Sequence, residues 1–207
     1  MDKGTVLELL PGTGVLLPDG AGVLRFGTGA EATRDLLTAT ASRVHPGMRC
    51  GSLTLKEYSE LRHAHDAWLG GYLFQPDWNT VAHFDGLRLL SAGGGPDAAD
   101  ALARIEVWRE PPSSEAAGTA VVWDGVDLFG HPAEETLRVL PEAVRLPGPR
   151  TDATVPALGL RLEGDGAAGT PWRRLSMAGP EPDGWGRCCG GRSRCARGGD
   201  GMVGLMR

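Results

Sequence analysis

The turn Asp85-Gly86 stands between two alternating stretches in TVAHFDGLRLLS (80–91) and constrains the fold more than any other feature of this chain. A two-residue loop of this type joins antiparallel strands, and its type I′ form needs positive φ at both positions. The expected cross-strand pairs are Phe84 with Leu87, His83 with Arg88, and Ala82 with Leu89. This register places Phe84, Ala82, Leu87 and Leu89 on one apolar face and leaves His83 and Arg88 on the other.

Other short stretches show the same strand signals. TAVVWDGVDLFG (119–130) predicts a second hairpin about Asp124-Gly125, in which Val122 and Asp127 face away from the apolar side, and Asp19-Gly20 predicts a third. Alternation of apolar and polar residues also predicts strands in TVLELL, ARIEVWRE and ALGLRLEG, at 5–10, 103–110 and 157–164.

Helix signals are fewer than strand signals. Thr28 with Glu31 resembles a capping box that opens a helix running to about Ser42. Pro132 suits the first position of a helix that ends by Leu140, and spacings of three and four predict another from about Thr54 to Trp68. The expected fold class is α+β: a twisted, mostly antiparallel sheet of five to seven strands, with two or three helices on one face.

Two sixteen-residue stretches 103 residues apart are similar. GVLRFGTGAEATRDLL begins at Gly22 and GVDLFGHPAEETLRVL at Gly125, and eight of the sixteen positions match. Each reads as a strand that ends in Phe-Gly and turns into a helix. An old internal duplication and an independent use of the same corner are both open interpretations. In either case the rings of Phe26 and Phe129 are expected to be largely buried.

The spacing FG-x5-[TV]-x3-[LA] in these stretches resembles a corner of the β-lactamase-inhibitory-protein and outer-membrane-assembly-lipoprotein group. In that group Gly-Met-Thr opens a helix before a small sheet, and the unit occurs twice in the inhibitor. The resemblance implies that Phe26-Gly27 and Phe129-Gly130 are the corners, with Thr33 and Thr136 on the helix faces. This chain has Thr28 and His131 in place of Met, and it lacks the core cysteines and the export signal of that group.

Length and composition limit the domain organisation and the class of protein. With 207 residues and 41% hydrophobic residues, the expected organisation is one α+β domain over 1–178 and a Gly/Arg/Cys-rich disordered tail over 179–207. A shifted reading frame is a second explanation of the tail. Among the basic residues Arg far outnumbers Lys, which is typical of a high-GC bacterial genome.

Charge and hydropathy limit location and partners. A net charge of -5 argues against a nucleic-acid surface. No apolar run reaches the ~20 residues of a membrane span, and the first residues lack a secretory signal. A cytoplasmic protein that does not act at a membrane is therefore expected.

Candidate site residues are few. His131, with Gly130, precedes a helix whose first amides could hold a small anion, although a simple capping or surface role is the plainer interpretation. His63, His65, His83 and Asp127 are a second candidate set, for a metal ion, if folding brings them together. On a helix His63 and His65 point about 200° apart, so they do not form the usual i, i+4 ligand pair. Cys188, Cys189 and Cys195 lack the C-x2-C pairs of a structural zinc site.

No cofactor is expected, because the Gly-rich stretches complete neither a P-loop nor a dinucleotide motif. The sequence favours a non-enzymatic protein-binding module, of the immunity or inhibitor type, with a protein partner. The alternative is a small hydrolase or metal-dependent enzyme that uses the scattered His and Asp residues. The oligomeric state is open.

Overall fold

The computed structural model describes residues 5–47, 78–93, 100–111, 118–148, 150–167 and 169–179. By its contacts the chain divides into two units, and all the described residues belong to the first, Met1–Thr54 with Gln75–Pro180. The second unit, Leu55–Phe74 with Glu181–Arg207, lies outside them. The predicted boundary near residue 178 stays a prediction, and the predicted helix from Thr54 to Trp68 lies outside the described residues.

The elements follow one another along the chain as short strands and two helices. In order they are β1 (Val6–Leu10), β2 (Gly14–Leu16), β3 (Val23–Arg25), α1 (Ala30–Thr38), β4 (Arg43–Pro46), β5 (Trp78–Phe84), β6 (Leu87–Gly93), β7 (Leu102–Arg109), β8 (Ala120–Trp123), β9 (Val126–Asp127), α2 (Ala133–Val139), β10 (Val144–Arg145), β11 (Asp152–Val155), β12 (Leu160–Glu163) and β13 (Arg174–Ala178). The predicted α+β class is confirmed, with two α-helices among the described residues.

These strands form two sheets, where one of five to seven strands was expected. The smaller has the order β3-β2-β1-β8-β9, and the larger has the order β10-β11-β12-β13-β7-β6-β5-β4. All neighbours are antiparallel except β1 and β8, which run parallel with Val6 opposite Ala120. Turn residues in the sequence predict only the pairing of strands that are adjacent in the chain. The pairing of β1 with β8, which lie more than a hundred residues apart in the chain, has no signal of that kind.

The hairpin predictions hold in register. Phe84 lies opposite Leu87, His83 opposite Arg88, and Ala82 opposite Leu89. Asp19 and Gly20, with φ of 57° and 72°, take the left-handed conformation of a type I′ turn, as do Asp124 and Gly125, with φ of 47° and 78°. At Asp85-Gly86 the prediction of positive φ is correct for Gly86 only, since Asp85 keeps an ordinary backbone conformation.

The capping prediction for α1 was wrong. The residue that precedes the helix is Gly29, it makes no side-chain cap, and the helix ends at Thr38 rather than near Ser42. Thr28 is held before the helix because its carbonyl accepts a hydrogen bond of 2.8 Å from the amide of Leu102 in β7. The orphan amide of Ala30 donates instead to the carboxylate of Asp100 at 3.2 Å.

The start of α2 differs from the prediction by one residue. Pro132 is the residue before the helix rather than its first member, and Ala133–Val139 is the helical span. The expected end by Leu140 is correct.

The repeat extends well beyond the sixteen matched residues. The first copy continues from its corner into α1 and four antiparallel strands, β4 to β7, and the second copy into α2 and β10 to β13. The last strands of the two halves pair at the middle of the larger sheet, where Glu106 lies opposite Ser176. The residues that precede the helices, Gly29 and Pro132, each form an isolated bridge. The two halves therefore share one topology, as a duplication would produce.

The two Phe-Gly corners are packed unequally. Phe129 is 4% exposed and belongs to the core, as predicted. Phe26 is only half-buried, which corrects the expectation, and its ring lies against Gly179 just after β13.

The glycines at the corners serve different needs. Gly27 has a φ of 85°, which L side chains resist, whereas a side-chain carbon at Gly130 would collide with the carboxylate of Asp127. Each corner therefore requires Gly, but for a separate reason.

Among the described residues, no helix combines the length and the apolar character that a membrane span would need.

Candidate functional site: the outer face of the larger sheet

The larger sheet buries one face and presents charged side chains on the other. The buried face carries one continuous row of cross-strand neighbours, namely Ala82, Leu89, Val107, Leu175, Leu162 and Ala153. The next row along the strands points the opposite way and consists of Arg43, His83, Arg88, Trp108, Arg174, Glu163 and Asp152. We call the surface that contains this second row the outer face.

Trp108 lies at the middle of the outer face between two arginines. Arg88 on β6 and Arg174 on β13 are its direct cross-strand partners. Their guanidinium carbons lie 4.8 and 5.0 Å from the centre of the indole ring, within the range of cation–π attraction. The register of three strands therefore fixes an Arg–Trp–Arg stack in place.

Two carboxylates of the outer face, Glu106 and Glu163, form ion pairs with its arginines. Glu106 accepts a hydrogen bond of 2.6 Å from Arg174 and pairs with Arg104, and its side chain is only 7% exposed. Glu163 pairs with Arg174 and Arg161, both at 3.3 Å. The guanidinium of Arg161 is far more accessible, with 52% of that side chain exposed. In these pairs the arginine side chain is therefore more exposed than its carboxylate partner.

Two histidines meet at the β4 edge of the outer face. The Nε2 atoms of His45 and His83 lie 3.1 Å apart, and the rings stack with centroids 5.3 Å apart. His45 Nδ1 is 2.8 Å from the carbonyl oxygen of Pro46, and His83 Nδ1 is 3.5 Å from a carboxylate oxygen of Glu110. The Arg43 guanidinium is 3.1 Å from His83 Nε2. An open depression of ≈ 290 Å³ adjoins this pair and is lined by Ser42, Arg43, His83 and Glu110, among others.

Burial lowers the pKa of His83 below its ordinary value, and the positive charge of Arg43 lowers it further, while Glu110 opposes both effects and His45 adds a smaller decrease. The imidazole of His83 is therefore mainly neutral near pH 7.

This lowered pKa predicts a loss of stability in mild acid. The unfolded chain protonates His83 near its ordinary pKa of about 6.5, but the folded chain resists protonation until the pH is lower. The stabilising contribution is complete above about pH 6.5 and is lost as the pH falls from there toward the folded-state pKa. Urea denaturation of His83→Gln should therefore show a shallower decrease in stability between pH 7 and 5.5 than the wild type. His131→Gln, at an exposed histidine, is the control and should keep the wild-type slope.

The structure places the predicted anion residues in unfavourable surroundings. His131 is exposed at the start of α2, but the amide of Ala133 already donates to the carbonyl of Thr170 at 2.9 Å. Glu134 and Glu135 occupy the first turn, where their charges repel an anion. The anion site at His131 and Gly130 stays a prediction, and nothing in this geometry favours it.

The two described residues of the predicted metal set, His83 and Asp127, do not lie together. His63 and His65 lie outside the described residues. His83 is on β5 and Asp127 on β9, in different sheets, and Asp127 accepts a hydrogen bond of 3.0 Å from the amide of Phe129. Within the described ranges, no three His, Cys, Asp or Glu side chains form a group that could hold a metal ion. The alternative enzyme function stays a prediction.

Sequence reasoning did not find His45. Its pairing with His83 depends on β4 lying beside β5, across the connection 47–77, and no local pattern reports that contact. The Arg–Trp–Arg stack was missed for the same reason, since it joins three strands.

Comparison of the chain with protein-family models, curated proteins and solved structures finds no match.

Proposed function

We propose that the protein is a non-enzymatic binding module whose outer face docks a protein partner that presents acidic side chains. The observation that carries the proposal is the stack of Trp108 between Arg88 and Arg174. Trp and Arg are the residue types most enriched among those that dominate binding energy in protein interfaces. Here they lie together at the middle of a broad sheet face.

Rigidity supports this role. Trp108 is fixed by strand register, and Arg174 is fixed further by Glu106 and Glu163. Side chains ordered before binding lose little conformational entropy in a complex, so more of the contact energy appears as affinity.

Charge determines the chemistry of the partner. The side chains of Arg161 and Arg88 are 52% and 40% exposed, against 22% and 33% for their carboxylate partners Glu163 and Glu110. The chain as a whole carries a net charge of -5, so this face differs from the protein's average. Complementary charge on the partner would favour its approach and orient it on the sheet.

If the partner is an enzyme, the protein would act as an inhibitor or an immunity protein by binding it. A cytoplasmic location belongs to the same proposal. The resemblance of the Phe-Gly corners to the β-lactamase-inhibitory-protein group stays a prediction.

The test begins with capture of the partner from the native host and continues with a direct affinity measurement on the purified pair. Trp108→Ala should weaken binding about 30-fold or more, the effect of removing a dominant interface residue. Arg161→Glu should weaken it as well and should leave the melting temperature nearly unchanged, because Arg161 is exposed. Arg138→Glu, a matched reversal on α2, should bind like the wild type.

Equal affinity for the wild type and both outer-face variants would refute the proposal. Capture of nucleic acid rather than protein, with binding abolished by nuclease, would refute it too.

A further inference from the structure

We propose that His45 and His83 form a two-histidine site for a divalent first-row transition metal ion at the β4 edge of the outer face. Imidazole nitrogen suits Zn²⁺, Cu²⁺ and Ni²⁺. The site does not depend on the proposed partner, and it shares only His83 with the set His63, His65, His83 and Asp127.

The spacing of the two nitrogens fits shared coordination. Metal–imidazole bonds of about 2.0–2.1 Å, with angles between right-angled and tetrahedral, place two ligating nitrogens roughly 2.8–3.4 Å apart. The Nε2 atoms of His45 and His83 are 3.1 Å apart. Little movement of either ring is therefore needed to hold one ion.

The hydrogen-bond partners of the rings leave both Nε2 atoms without a proton. His45 Nδ1 faces the carbonyl of Pro46, and His83 Nδ1 faces the carboxylate of Glu110, and both oxygens only accept. In the neutral tautomers that these contacts favour, each Nδ1 carries the hydrogen and two unprotonated Nε2 atoms lie 3.1 Å apart. Arg43 donates to the lone pair of His83. A cation between the rings would satisfy both lone pairs at once.

The same contacts are the second shell of a typical metal site. A ligating histidine usually donates its other ring N–H to a carboxylate or a backbone carbonyl, which fixes the tautomer and orients the ring. Glu110 supplies the carboxylate for His83, and Pro46 supplies the carbonyl for His45. Both orienting contacts are therefore present in the protein without a metal ion.

Protons and Arg43 compete with the ion. An imidazole ligates a metal ion only in its unprotonated form, so protons compete for the same nitrogen atoms. The Arg43 guanidinium occupies part of the same space, but its side chain is exposed and can turn away. Removing Arg43 should therefore strengthen metal binding, whereas protonation in mild acid should abolish it.

The experiment is calorimetric titration of the full-length chain with Ni²⁺ at pH 7.5. His45→Ala and His83→Ala should each lose one equivalent of Ni²⁺ relative to the wild type, and His131→Ala should keep it. Glu110→Gln should weaken that equivalent by about 10- to 100-fold, the usual effect of losing an orienting carboxylate. Arg43→Ala should tighten it.

His45→Ala keeps the test valid if His83→Ala unfolds, because His45 is exposed on an edge strand. Full retention of the Ni²⁺ equivalent by a folded His45→Ala variant would overturn the proposal. Tight binding that persists at pH 5 would also overturn it, because protonated imidazoles cannot ligate the ion. Absence of any Ni²⁺ binding in the wild type would do the same.

Discussion

Trp172→Ala is expected to destabilise the protein by about 3–5 kcal/mol, the cost of emptying a core aromatic site. Trp172 is fully buried, at 0% exposure, and is the largest such side chain among the residues that the structure describes. Its indole N–H also donates to the hydroxyl of Thr136 at 2.6 Å and so ties the segment before β13 to α2. In a domain of this size the loss corresponds to a fall of about 6–20 °C in melting temperature.

Trp172→Phe is the matched variant for this prediction. It retains an aromatic ring but removes the N–H donor, so its melting temperature should fall between those of the wild type and Trp172→Ala. The measurement is thermal melting with urea titration at one pH. A melting temperature for Trp172→Ala equal to that of Trp172→Phe would show that the volume of Trp172 contributes little.

Phe129→Ala is expected to cost about 3–5 kcal/mol, and Phe26→Ala clearly less. The two residues occupy equivalent corners of the repeat, but Phe129 is 4% exposed and Phe26 is half-buried against Gly179. Burial, rather than position in the repeat, should therefore determine the loss.

Phe129→Ala and Phe26→Ala are controls for each other, because both replace Phe by Ala at a Phe-Gly corner. The free energies of unfolding, measured by urea denaturation, give the comparison. A larger loss for Phe26→Ala than for Phe129→Ala would contradict the packing described for these corners.

Local signals predicted the hairpins well. Asp-Gly turns fix the pairing of residues that are close in the chain, so the register of β5 with β6 follows from the sequence alone. The start of α1 did not follow, because a distant strand decides it. Thr28 could cap the helix in isolation, but its carbonyl accepts a hydrogen bond from Leu102, and Asp100 reaches the helix amide instead.

The candidate site was predictable only in part. Placement of His83 and Arg88 on the polar side of a hairpin follows from alternation, and the structure agrees. The contacts that give these residues a role, with His45 on one side and Trp108 on the other, cross strands whose pairing leaves no local pattern in the sequence. Long-range pairing is therefore the part that sequence reasoning could not supply.

The pairing of β7 with β13 relates the halves of the larger sheet by an approximate two-fold axis through Glu106 and Ser176. The positions that this axis exchanges carry different residues, since Trp108 corresponds to Ala178 and Glu106 to Ser176. A truly symmetric surface offers a partner two equivalent poses. Because the two halves differ at these positions, a partner that contacts Trp108 would meet this sheet in a single orientation.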